Sequence, residues 1–127
     1  MEVIRRRDIP IDPLPGRKIQ RIVGKGASLE SGRMTVVTAH YSDDSGTMEA
    51  HQHAEETIYI LDARQSRVRF GPSKEMLLQS ISLESGMTLH IPELEWHVFE
   101  WEPGGSTDCI AIYGQVDNIR PEDISRA

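Results

Sequence analysis

The sequence predicts an all-β domain, and three observations support that prediction. Short segments rich in β-branched and aliphatic residues recur along the chain, and turn signals such as Asp43-Asp44-Ser45-Gly46 separate them. No segment has the apolar period of a strong amphipathic helix. Ten Gly and seven Pro in 127 residues suit a turn-rich globular protein. Many short strands with regular turns indicate an antiparallel sandwich or barrel.

The elements follow in order along the chain. Residues 1 to 16 predict an extended N-terminal arm, because Pro10, Pro13 and Pro15 disfavour both a helix and a central strand. Residues 17 to 127 are expected to form a single barrel domain, since a chain of this length builds one core. The expected strands are Lys18 to Val23, Met34 to Tyr41, Glu49 to His53, Thr57 to Asp62, Arg67 to Phe70, Leu77 to Ser82, Met87 to Ile91, Trp96 to Trp101 and Asp108 to Tyr113.

Composition argues against a membrane protein and a secreted one. No apolar run approaches the length of a membrane span, and Met1 to Asp8 lack the apolar stretch of a secretory signal. The single Cys109 excludes an intrachain disulfide. These features predict a cytoplasmic protein without membrane partners.

Charge is distributed unevenly. Residues 1 to 25 hold seven basic and three acidic residues, a balance of +4, so the rest of the chain carries −10 to give the net −6. Without interleaved aromatic residues, this basic segment predicts a solvated arm or one that docks on an acidic neighbouring subunit, and no nucleic-acid partner. A homodimer is expected, as the commonest symmetric assembly.

Three histidines predict a metal site. In a strand, His51 and His53 would present two imidazoles to the same face. His97 can reach the same point if its strand lies opposite in a folded barrel. Imidazole and carboxylate ligands suit one divalent transition-metal ion, namely Fe, Mn, Ni, Co, Cu or Zn.

Two ordered motifs around these histidines resemble those of the cupin family. The first begins at Gly46 and contains His51-Gln52-His53 and Glu56, and the second matches at Gly86, Pro92 and His97. The similarity covers roughly residues 30 to 115. Leu94 stands where the second family motif has Gly. The resemblance implies a double-stranded β-helix, the cupin-type jelly-roll barrel, with His51, His53, Glu56 and His97 as metal ligands.

The carboxylate ligand has two candidates. The spacing from His53 to Glu56 is one residue shorter than in the family motif, but the strand that follows Glu56 fits the family pattern. Simple alternation from His53 would instead place Glu55 on the ligand face. Both assignments stay open at the level of sequence.

Other residues are candidates for a substrate pocket. Alternation places Phe99 and Trp101 on the same face of their strand as His97, where they could line a pocket or fill the core. His90 falls on a strand near the site and could contact substrate or orient a ligand, although a packed histidine is the more ordinary reading.

The resemblance implies fold more firmly than reaction, because one fold hosts many chemistries. The leading hypothesis is a metal-dependent enzyme, of the dioxygenase, isomerase or lyase class, acting on a small oxygenated organic molecule. The alternative is a non-catalytic module that binds a small ligand or a metal as a sensor or storage protein. The substrate, the reaction and the native metal are not specified by these residues.

Overall fold

The computed structural model describes residues 1–52 and 54–114. Within these ranges the chain is almost entirely β-structure, as predicted, with two 3-10 turns at Arg6–Asp8 and Asp43–Ser45. None of the helical turns has the length or hydropathy of a membrane-spanning segment. The strands are β1 (Ile11–Leu14), β2 (Arg17–Gly24), β3 (Leu29–Glu30), β4 (Met34–Ser42), β5 (Glu56–Gly71), β6 (Gln79–Ser82), β7 (Thr88–Ile91) and β8 (Trp96–Gly114).

The strands form one continuous hydrogen-bonded sheet whose order is β1-β2-β4-β8-β5-β6, with β3 beside β2 and β7 beside β5. All pairings are antiparallel except that of β2 with β3. The long strands β5 and β8 pair along most of their length and form the centre of the sheet. Their inward-facing residues, including Ile58, Ile60, Val68, Phe99 and Cys109, form the core.

Two of the predicted strand breaks are bends within single strands. Thr57 to Asp62 and Arg67 to Phe70 both belong to β5, and Trp96 to Trp101 and Asp108 to Tyr113 both belong to β8. Ser66 pairs with Trp101 whereas Arg64 pairs with Ser106, so residues 102–105 of β8 lie opposite Gln65 alone. The turn residues therefore bend a continuous strand instead of ending it.

The predicted strand from Glu49 to His53 is wrong over its described residues. His51 forms an isolated bridge with His97, and the residues before it make no ladder. A physical reason lies at Met48, whose buried Sδ is 3.5 Å from the backbone N of Phe99, the position a strand carbonyl would occupy. The Met48 sulfur thus takes the place of a backbone acceptor for the N–H of Phe99.

The arm predicted at residues 1 to 16 includes the edge strand β1, which accommodates Pro13 because an edge strand can lack a ladder donor. Gln20 on β2 holds the arm by donating to the carbonyls of Arg6 (2.9 Å) and Ile9 (3.1 Å). Arg6 also donates two hydrogen bonds of 2.7 Å to the carboxylate of Asp108 on β8. The arm is therefore hydrogen-bonded to both β2 and β8.

Candidate metal centre

His51 and His97 lie directly opposite each other. Each donates its backbone N–H to the other's carbonyl at 3.0 Å, which is the hydrogen-bonded pair of an antiparallel bridge. Their side chains share a face, and the two ring centroids are 4.4 Å apart. The bridge thus brings together two imidazoles that are separated by 46 positions in sequence, from residue 51 to residue 97.

The hydrogen bonds of both rings define their tautomers. Nδ1 of His51 lies 3.1 Å from the carbonyl oxygen of Glu49, and Nδ1 of His97 lies 2.8 Å from that of Glu95. A carbonyl oxygen can only accept, so each Nδ1 carries the proton and donates. Each neutral ring therefore keeps its lone pair on Nε2, the arrangement that metal-binding histidines commonly adopt.

Glu56 is the carboxylate that the fold places beside these rings. It is buried at the start of β5, and its Oε1 lies 3.6 Å from Nε2 of His97. Glu55, the alternative ligand from sequence, is exposed and its Oε2 lies 2.6 Å from Nε2 of His90. The two neighbouring carboxylates therefore occupy different surroundings.

His53 lies outside the described residues. Within residues 1–52 and 54–114, no group of three or more His, Cys, Asp or Glu side chains forms a ready metal-binding cluster. Among the contacts there, His97 lies against the ring of His51 and beside the carboxylate of Glu56.

The donor chemistry of these residues fits a divalent metal ion. Two N or O donors bound at ~2.1 Å to one ion, at angles of ~90 to 120°, lie about 3.0 to 3.6 Å apart. The 3.6 Å between Nε2 of His97 and Oε1 of Glu56 falls at the upper edge of that range. Because the separation exceeds a normal hydrogen bond, the pair is better arranged to share an ion than a proton.

The predicted pocket residues separate into two cavities. His90 and His97 line a cavity of about 200 Å³, together with Phe70, Leu89 and Glu95. Phe99 and Trp101 line a different cavity of about 330 Å³. Phe99 stacks on Tyr41 at 4.7 Å between ring centroids, and Trp101 Nε1 donates to Asp43 Oδ1 at 3.0 Å. The aromatic pair shares the face of His97 but not its cavity.

Sequence reasoning missed Phe70 as a residue of this cavity. Phe70 is the direct β5 partner of His97, so the two side chains lie on the same face. Only the register between β5 and β8 reveals this neighbour, and the bend at residues 102–105 hides that register from pattern analysis. Alternation within β8 alone could not have found it.

Burial is the main cause of the pKa shifts of two groups near Glu56, the Cys109 thiol and the Tyr41 hydroxyl. Burial raises the pKa of the Cys109 thiol strongly, and the nearby charge of Glu56 raises it further. Burial likewise raises the pKa of Tyr41, with smaller increases from Cys109 and Glu56. Both groups therefore stay protonated at neutral pH. Cys109 is fully buried and is a core residue.

Comparisons with known proteins identify the fold. No protein-family model matches the sequence, and no curated protein matches it. Among solved structures, the polyketide cyclase RemF from Streptomyces resistomycificus is 18% identical with a TM-score of 0.73, covering 90% of this chain and 79% of that one. A protein from Planctomyces limnophilus is 19% identical with a TM-score of 0.69, covering 93% and 92%. An Fe(II) complex of HppE is 15% identical with a TM-score of 0.63, covering 88% and 59%.

These neighbours are cupin-fold proteins, and the chain has the cupin fold that its two motifs predicted. The matching structures include a cyclase, DMSP lyases, an epoxidase and an oxalate decarboxylase. One fold therefore carries several different reactions, and the likeness shows the fold alone.

Proposed function

We propose that this protein is a metal-dependent enzyme acting on a small oxygenated organic substrate, with His51, His53, Glu56 and His97 as ligands of one divalent transition-metal ion. The observation that supports the proposal most is the arrangement around His97. Its Nδ1 is held by a backbone carbonyl, its ring faces that of His51, and its Nε2 is 3.6 Å from Glu56. The Fe(II) complex of HppE offers a precedent for a ferrous ion on this fold.

The cavity beside His97 is the proposed substrate site. When bound, the metal ion would supply Lewis acidity or redox chemistry. Val68, Phe70 and Ile91 give the cavity apolar walls that exclude water from the substrate. His90 lines the same cavity, and the Glu55 carboxylate 2.6 Å from its Nε2 holds the ring in place. His90 is therefore a candidate for moving a proton to or from substrate.

Metal binding is the first test of this proposal. Protein purified without an affinity tag should contain close to one equivalent of transition metal by elemental analysis. His51→Ala and His97→Ala should each weaken metal affinity at least about tenfold, since each removes one bond to the ion. His40→Ala is the matched control, because this histidine contacts Asp108 on the far side of the sheet. Unchanged affinity in both site variants would refute the assignment.

Turnover is the second test. The protein loaded with each candidate metal should convert a hydroxy-, keto- or carboxylate-bearing compound, in air or anaerobically. Oxygen uptake by the ferrous protein would indicate a dioxygenase, and turnover without oxygen an isomerase or lyase. A cognate ligand recovered unchanged with every metal would favour the sensor or storage alternative. The cytoplasmic location and the homodimer belong to the same proposal.

A further inference from the structure

A third cavity lies outside the barrel, where the N-terminal arm crosses the sheet. It has a volume of about 510 Å³ and is lined by Arg6, Arg7, Ile11, Lys18, Gln20 and His40. Lys18 and His40 are direct partners in the pairing of β2 with β4, so their side chains lie on one face. Their sequence neighbours Ile19 and Ala39 point into the core. Lys18 and His40 therefore point away from the core, because side chains alternate between the two faces of a sheet.

Arg6 is a fixed part of this cavity wall. Its Nε donates to Oε1 of Gln20 at 2.9 Å, and its two terminal nitrogens donate to Asp108 at 2.7 Å each. All three bonds are made within the chain, so the guanidinium is already neutralised and oriented. Arg6 therefore shapes the cavity more than it attracts a ligand.

Arg7 and Lys18 differ from Arg6. Within the part of the chain that the structure describes, neither side chain makes a hydrogen bond or ion pair. The lining holds three permanent cations, and Asp108 pairs with one of them, Arg6, so Arg7 and Lys18 add two positive charges to this wall in a protein whose net charge is −6. Lys18 also lies directly opposite His40 in the pairing of β2 with β4, and Nδ1 of His40 is 3.2 Å from Oδ1 of Asp108.

We propose that this cavity binds a small organic anion bearing a phosphate or carboxylate group. Arg7 and Lys18 would neutralise the anionic group, and Ile11, which is 61% exposed, would contact the aliphatic part of the ligand. The cavity lies on the opposite face of the sheet from the core, so ligand binding there is independent of the proposed metal centre.

The test uses the full-length protein with inorganic phosphate and succinate as separate probes, at low ionic strength with chloride as a control anion. Calorimetry should show saturable binding of at least one probe to one site per chain. Lys18→Gln and Arg7→Gln should each weaken binding about fivefold or more, while Lys18→Arg should retain it. Arg33→Gln removes the same charge from an exposed position elsewhere and should bind normally.

A spectroscopic readout on the unmutated protein makes the test independent of the variants. In NMR titrations the signals of the Ile11 methyl groups and the His40 ring should shift in step with calorimetric saturation. A probe bound through phosphate but not carboxylate, or the reverse, identifies the recognised group. Non-saturable binding, or an equal loss in Arg33→Gln, would overturn the proposal, as would binding of an acidic peptide with no affinity for either small probe.

Discussion

His51 and His97 exchange both of their backbone hydrogen bonds, N to O at 3.0 Å in each direction, although the segment before His51 forms no strand. The same bridge directs both imidazoles to one side, and each Nδ1 donates to a backbone carbonyl. The relative position of these two imidazoles thus depends on one bridge between two residues, without a strand before His51.

The two glutamates next to His53 should differ in their effect on metal binding. Glu56→Gln is expected to weaken affinity about tenfold or more, because the buried carboxylate lies 3.6 Å from Nε2 of His97. Glu55→Gln should leave affinity within about twofold, since this side chain is exposed and contacts His90. Titration of metal-free protein measures both, and the reverse ranking would move the ligand role to Glu55.

Strain at Leu94 gives a stability prediction. Its φ is +64°, a left-handed conformation that costs a side-chain-bearing residue ~1 to 2 kcal/mol. Leu94→Gly removes that cost, but the greater freedom of glycine in the unfolded chain takes back ~0.4 to 1 kcal/mol, so the free energy of unfolding should rise by up to ~1.6 kcal/mol. Urea denaturation measures the change.

The control for this substitution is Leu78→Gly. Leu78 is also exposed, at 75%, but its backbone is not left-handed. It should therefore lose stability by ~0.5 to 1 kcal/mol. If both variants lost stability equally, the strain at Leu94 would not be real.

Asp108 gives a prediction about pH. Burial raises the pKa of this carboxyl, but the hydrogen bond and charge of Arg6, with those of His40, outweigh burial and leave the pKa lowered. A lowered folded-state pKa stabilises the protein above the unfolded pKa, about 3.9, and this stabilisation is lost as pH falls through the folded value.

Asp108→Asn should accordingly reduce the free energy of unfolding at pH 7 by ~1 kcal/mol, an amount that allows for the partly exposed Arg6. The difference from the unmutated protein should shrink as pH drops below about 4. Asp62→Asn is the control, because its ion pair with Arg64 is exposed and 3.8 Å long. A difference that did not begin to shrink as the pH fell below about 4 would contradict the linkage.

The proposed homodimer has a candidate interface. Tyr59, Leu61 and Ile112 are 38 to 44% exposed on adjacent strands, and none is charged. In a chain of net charge −6, an uncharged apolar patch is where two copies can meet without opposing like charges. Light scattering should give twice the 14.3 kDa chain mass. Ile112→Asp should produce a monomer, whereas Met76→Asp should not, and a monomeric unmutated protein would refute the interface.

Sequence patterns predicted the all-β class and the cupin fold, because these depend on local alternation and on motif spacing. They failed where tertiary contacts replace local ones. Met48 fills the place of a strand carbonyl beside Phe99, and the bend at residues 102–105 shifts the register of β8 against β5. Leu94 stands where the family motif has Gly, and its backbone is left-handed, the conformation that favours glycine.

The hydrogen bonds between Arg6 and Asp108 join residues 102 positions apart. During synthesis Arg6 leaves the ribosome well before its partner does, so the arm cannot take its final place until β8 has joined the sheet. This contact therefore belongs among the last to form. Weakening it should accelerate unfolding while leaving the refolding rate almost unchanged, because interactions absent from the transition state affect only the unfolding barrier.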